Sequence, residues 1–148
     1  MGVGIAVVCG LVMANFYEWW IHKYILHVMG KKNGNFWRFH WDEHHGTARK
    51  HANADDKVYL KEILALLLLV GIHTPMLYVS MPMFVTIATY AILYYTLHRY
   101  SHLNPVWGKK YMRWHWDHHM GKNQDSNWCI LFPLFDYILG TREKSQNT

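Results

Sequence analysis

Three long apolar runs alternate along the chain with short segments dense in histidine and charge. The first, residues 3–21 (VGIAVVCGLVMANFYEWWI), is interrupted only by Asn15 and Glu18. The second covers residues 63–79 around the block LALLLLVGI, and the third covers 83–97 and is rich in aromatic and β-branched residues. About 20 apolar residues cross a hydrocarbon core as a helix, so the pattern predicts about three transmembrane helices. His73, Thr74, Pro75, Ser80 and Pro82 sit in or near the connection between the second and third runs, which reads as a tight hairpin. The first run has no basic segment before it and no small-residue cleavage site after it, which argues against a removable signal peptide. The Met-Gly start lacks the Ser or Thr of a myristoylation signal, because position 6 is Ala. The expected fold is all-α: one domain over residues 1–148, an integral membrane bundle with a His-rich helical cap.

Charge gives the expected bundle an orientation. None of the 15 Lys and Arg lies in residues 1–22 or between Glu62 and His98. Basic loops stay in the cytoplasm, so the N-terminus is expected outside, residues 22–61 and 98–148 inside, and the hairpin outside. The His-rich segments then all face the cytoplasm. Trp19, Trp20, Tyr94, Tyr95 and Tyr100 fall where an interfacial aromatic belt would lie. A net charge of +5 suits a surface beside anionic lipid and calls for no nucleic-acid partner. With 51% apolar and 17% charged residues among 148, a disordered chain is excluded. Two widely spaced cysteines, Cys9 and Cys129, exclude a disulfide scaffold and a Cys-based zinc motif.

Of the 12 His, ten fall in four clusters: His22-Lys-Tyr-Ile-Leu-His27, His40-Trp-Asp-Glu-His44-His45, His98-Arg-Tyr-Ser-His102 and His115-Trp-Asp-His118-His119. Residues three or four apart share a helix face. His40 can therefore converge with His44 on one ion, His98 with His102, and His115 with His118 or His119. The neighbouring His of each double points about 100° away and can reach a second ion. His22 and His27 diverge by about 140° on an ideal helix; either they serve different metals or the helix ends between them. Neutral imidazole is the commonest protein metal ligand, and ten are too many for one ion, so two ions are expected. His51 and His73 stand outside the clusters and read as ordinary polar residues. Glu43 reads as a helix-surface residue.

The clusters form two matching pairs. His22-Lys-Tyr and His98-Arg-Tyr open the halves; His40-Trp-Asp and His115-Trp-Asp follow 18 and 17 residues later, and Gly46 and Gly121 follow each double His. This predicts a pseudo-twofold site to which both halves contribute comparable ligands. Asp42 and Asp117 hold matching places, and metal-bound His commonly donates its other N–H to a carboxylate, so both are candidates to orient ligands. Trp41 and Trp116 are expected to pack at the membrane interface.

The pattern HxxxxH, HxxxHH, HxxxH, HxxHH, interrupted by a hydrophobic hairpin, resembles the fatty acid hydroxylase/sterol desaturase superfamily of membrane His-rich di-iron oxidases. Residues Asn127 to Thr141 (NWCILFPLFDYILGT) look like that superfamily's ending. The small size and the His22–His27 element are also similar to bacterial β-carotene hydroxylases. The resemblance implies two irons held by His22, His27, His40, His44, His45, His98, His102, His115, His118 and His119, with O2 as co-substrate; zinc can substitute in purified protein. It implies hydroxylation of an unactivated C–H of a fatty acyl, sterol or carotenoid substrate entering from the bilayer, with desaturation as the variant chemistry. Two electrons per turnover would come from a separate ferredoxin-like or cytochrome b5-like donor, which the basic residues around the clusters could dock. Phe84, Tyr90, Tyr94 and Tyr95 are candidates for the substrate slot, with lipid-facing or core packing as the plainer reading.

A metal transporter or metal-binding membrane protein is the main alternative, but transport sites usually lie at mid-membrane, where this chain has little beyond Glu18 and His73. A bis-His haem carrier has no need of double-His motifs. The sequence ends without an ER-retention signal at Lys144–Thr148, which favours a bacterial plasma membrane over the ER.

Overall fold

The computed structural model describes residues 2–144, and every regular element among them is helical. Residues 145–148, on which the retention-signal reading depends, lie outside the described part. The first apolar run forms α1 (Val3–Trp20), which continues without a break into a π-helical segment, π1 (Ile21–Met29). A turn-rich loop leads to a second π segment, π2 (His40–His45), and the short α2 (Gly46–Lys50). The second run gives α3 (Leu60–Ile72), a break at residues 73–75, and α4 (Met76–Val79). The third run lies within α5 (Met81–Leu103), which starts with Pro82 in its first turn, where the missing N–H costs nothing. Then follow α6 (Pro105–Tyr111), α7 (Arg113–Met120) and α8 (Leu134–Ile138). The expected hairpin is therefore two turns separated by one short helix.

By length and composition, two stretches are able to cross a membrane, Val3–Met29 and Leu60–Val79. The first of these is longer than the predicted 3–21 because the π segment prolongs it.

α1 packs chiefly on α5. Gly10 lets them close: a Cβ there would lie 2.9 Å from Thr86 Cβ. α8 and the strap before it pack on the other side of α1, and π2, α2, α6 and α7 gather at the π1 end. The interior formed this way is unusually polar. Ten clustered His are buried, with Asn15, Glu18, Asp117 and Asp136, while Ile5, Val8 and Leu11 on α1 and Leu64, Leu67 and Leu68 on α3 point outward. Burying polar groups and exposing apolar ones reverses the soluble pattern and suits an apolar solvent. α3 carries no buried residue at all.

Candidate metal centre

All ten clustered His converge at the π1 end of the bundle as two groups. His22, His27, His40, His45 and His118 form the first: one ring nitrogen from each lies within 4.8 Å of all the others. The link between His22 and His27 is explained by π1. In a π turn the backbone bond closes five residues on, as in Gly30 N–H to Ile25 C=O, 3.2 Å, so residues five apart stack. The two rings are 5.1 Å apart, and neither expected alternative, separate metals or a helix end, applies. π2 does the same for His40 and His45, whose rings are 4.9 Å apart.

His44, His98, His102 and His119 form the second group on the same 4.8 Å criterion. His115 lies against it, its Nε2 3.0 Å from His102 Nε2 and its ring 4.6 Å from that of His119. The expected pairing of His98 with His102 is present on α5. That of His40 with His44 is not: the π geometry sends His40 and His45 to one group and His44 to the other. Each double His is thus divided between the groups, as adjacent helical residues should be.

The division follows the repeat. Match His22 with His98, His27 with His102, His40 with His115, His44 with His118 and His45 with His119. Each group then consists of four His from one half and one, His118 or His44, from the other. The N-terminal motifs carry one residue more than their counterparts, HxxxxH against HxxxH and HxxxHH against HxxHH. The π turns absorb those extra residues, which α5 and α7 do not have.

Imidazole Nε2 atoms face one another across each group: His22 to His40 at 3.2 Å, His27 and His118 to His45 at 3.1 Å, His98 to His102 at 3.2 Å. Nitrogens held about 2.0–2.1 Å from one cation at near-tetrahedral or near-octahedral angles lie about 3 Å apart. The spacing therefore fits a ligand shell. His44 Nε2, His115 Nδ1 and both nitrogens of His119 are buried without a hydrogen-bond partner, an expensive arrangement unless a cation completes it. Burial first, then neighbouring imidazoles, push His40, His45, His115, His118 and His119 well below the ordinary histidine range. His44 is lowered less, because Asp55 opposes its burial. Each of these six rings is thereby pushed toward its neutral form, the form that binds metal.

The chain matches the fatty acid hydroxylase family over residues 7–141. It belongs to that family, part of the fatty acid hydroxylase/sterol desaturase superfamily. Neither a curated protein nor a solved structure matches it.

Most ligand candidates have the second ring nitrogen fixed. Nδ1 of His22, His118 and His102 donates to the carbonyls of Trp128 (2.6 Å), Ser126 (2.6 Å) and Asn53 (2.8 Å). His44, His98 and His27 pair with Asp55 (3.0 Å), Glu62 (3.2 Å) and Asp125 (3.4 Å). Asp55 is held below the usual carboxylate range: burial raises it, but bonds from His44, Tyr59 and the Lys57 N–H outweigh that. Asp42 and Asp117, the candidates from the sequence, face arginines instead. Asp42 pairs with Arg38 at 2.5 Å and is half exposed; buried Asp117 takes Arg113 at 2.9 Å and Arg142 at 3.5 Å. Gly46 and Gly121 also differ in role. Gly46 simply continues the helix, whereas Gly121 follows the end of α7, where an added Cβ would lie 2.3 Å from the Asp117 carbonyl oxygen.

The family-like ending forms a strap that closes the first group. Asp136 accepts from Trp128 N–H, Cys129 N–H and Thr141 Oγ1 at 2.7–2.9 Å. Glu18 fastens the strap to α1 by accepting from Ile130 N–H (2.7 Å), Leu131 N–H (3.1 Å) and Tyr90 O–H (2.5 Å). The strap thereby sets the Trp128 and Ser126 carbonyls that orient His22 and His118.

An apolar cavity of about 410 Å³ lies between α1, α3 and α5 and reaches the centre at His22 and Glu62. Tyr90 and Tyr94 line it, and Phe84 and Tyr95 do not; Tyr95 borders a small cleft beside His44 and His98. His51 is exposed, Glu43 likewise, and His73 bonds to the Leu69 carbonyl and meets the Tyr17 ring at 5.1 Å, all away from the centre.

Proposed function

We propose that this member of the fatty acid hydroxylase family is a membrane-bound di-iron monooxygenase that converts an unactivated C–H of a lipid-like substrate to C–OH. One O2, two electrons and two protons give the alcohol and one water. The observation that carries the reading is the paired His centre, nine buried imidazoles in two groups with His115 against the second, opening onto an apolar cavity in a member of this family.

Bound iron would supply the oxidising power that ordinary side chains lack. The chain supplies the rest. His22, His27, His40, His45 and His118 would hold one ion, and His44, His98, His102, His119 and His115 the other. The Trp128, Ser126 and Asn53 carbonyls and the Asp55, Glu62 and Asp125 carboxylates fix ring orientation. The aliphatic side chains of π1, α3 and α5 that line the cavity would exclude water from the reacting carbon.

The proposed topology has three crossings, with α5 as the third, the centre on the cytoplasmic side and a bacterial plasma membrane as the location. A separate ferredoxin-like or b5-like carrier would deliver electrons to the basic face. The His positions disfavour transport, because the centre lies at the end of the bundle.

The test is production of the chain in a host whose lipids are then analysed by mass spectrometry under isotopically heavy O2. A lipid gaining one heavy oxygen, absent with His118→Ala/His119→Ala, supports the reading. An unchanged lipid profile from metal-loaded chain supplied with a donor overturns it.

A further inference from the structure

α6 joins the last His of α5 to the first of α7 and contributes no ligand candidate of its own. Its surroundings are one-sided in charge. No Asp or Glu occurs from Arg99 to Trp116, whereas Arg99, Lys109, Lys110 and Arg113 do. Two of these cations are engaged: Arg99 donates to the Lys57 and Asp56 carbonyls, and Arg113 pairs with Asp117. Lys109 and Lys110 lie over aromatic rings instead, Trp116 at 5.4 Å and Tyr111 at 4.9 Å. Among the described residues neither lysine makes an ion pair with a carboxylate.

An apolar stripe leads to these lysines. Ile92, Thr96, Tyr100 and Leu103 are three or four residues apart, hence on one face of α5. All four are exposed, and so is Val106 in the first turn of α6, at 85%. α6 folds back on the last turn of α5: the Tyr100 and Trp107 rings are 5.0 Å apart, and a Cβ on Gly108 would lie 2.8 Å from the Ser101 carbonyl oxygen. The 23 residues of α5 span about 34 Å at the helical rise, and a hydrocarbon core is about 30 Å thick. With α5 crossing as proposed above, α6 sits at the level of the headgroups.

We propose that α6 is an interfacial anchor that binds anionic phospholipid. Leu103 and Val106 enter the acyl boundary, the Trp107 and Tyr111 rings lie among the headgroups, and Lys109 and Lys110 face the lipid phosphates. The proposal rests on the α5 crossing and is independent of the iron chemistry. Each lysine adds roughly fivefold to the preference for an anionic surface. A soluble acidic carrier would also meet the lysines, but Leu103 and Val106 continue the lipid-facing stripe of α5 without a break, which favours a leaflet. Seating α6 there holds the second histidine group beside the membrane surface, because His98 and His102 precede α6 and His119 follows it.

The test places an environment-sensitive NBD fluorophore on Val106→Cys in the full chain carrying Cys9→Ser; Cys129 is buried. The protein is reconstituted in vesicles of phosphatidylglycerol or of phosphatidylcholine. Ile92→Cys, at the middle of α5, is labelled in the same way. In phosphatidylglycerol the Val106 label should emit at shorter wavelength and be quenched by brominated acyl chains rather than by aqueous acrylamide. In phosphatidylcholine it should shift toward its spectrum in water. Lys109→Glu/Lys110→Glu should abolish the difference between the two lipids at unchanged helicity. A Val106 label that acrylamide quenches fully in both lipids overturns the proposal and leaves the lysines to an acidic carrier. A lipid difference that survives the double substitution overturns it as well. An Ile92 label that acrylamide reaches overturns the α5 crossing instead.

Discussion

At the scale of single residues, the ten His were legible because their spacing is dense and repeated. Their orienting partners were not. Asp55, Glu62 and Asp125 come from loops and another helix, so no spacing in the sequence ties them to the rings they meet. Asp42 and Asp117, placed invitingly inside the motifs, turn to arginines. Asp55→Ala should therefore weaken metal binding by about 10–100-fold in a chelator-competition titration, while Asp42→Ala leaves it nearly unchanged. Acid should also release the metal. His40, His45, His115, His118 and His119 have folded-state pKa values below the ordinary one, so the unfolded chain binds more protons. Their neutral, ligating form contributes stability above about pH 6.5, and that stability is lost as pH falls below it. Metal retention after dialysis across that range checks the direction. At Glu18, replacement by Ala would leave the buried N–H groups of Ile130 and Leu131 without their acceptor. This should cost on the order of 3 kcal/mol, read as a lower unfolding midpoint in detergent.

At the scale of elements, the three apolar runs located α1, α3 and α5, since long hydrophobic stretches carry a strong signal, but the second run also takes in the break at 73–75 and α4, and α5 continues to Leu103, six residues past the third run. The π segments were hidden, although their trace was in view. HxxxxH and HxxxHH each exceed their counterparts by one residue, and on an ideal α-helix that extra residue separates His22 from His27. The structure accommodates it by widening the turn, so a reading that assumed 3.6 residues per turn paired His40 with His44 instead of His45. The strap over residues 125–143 was recognisable only through its family-like ending, because its work is done by carbonyls. Helix contact offers a direct check. Gly10→Val should separate α1 from α5 at Thr86 and cost about 1–3 kcal/mol, seen as a lower melting midpoint, whereas Gly4→Val, whose Cβ meets nothing within 4 Å, should not.

At the scale of the whole molecule, a polar interior within an apolar exterior suits a lipid solvent, and the stretches free of Lys and Arg predict an orientation in it. Reporter fusions should place the C-terminus in the cytoplasm and the N-terminus outside, which requires α5 to cross; both termini on one side would remove that crossing. The repeat becomes intelligible only at this scale, because each His group borrows one ligand candidate from the opposite half. Neither half can complete a site alone.

That interdependence is tested most directly by counting metal ions per chain, by elemental mass spectrometry, on purified wild type and on His118→Ala/His119→Ala. The variant removes one ligand candidate from each group. About two ions in the wild type, falling sharply in the variant, is the expected result. No bound metal after iron loading, or a single ion indifferent to the double substitution, would contradict the paired centre.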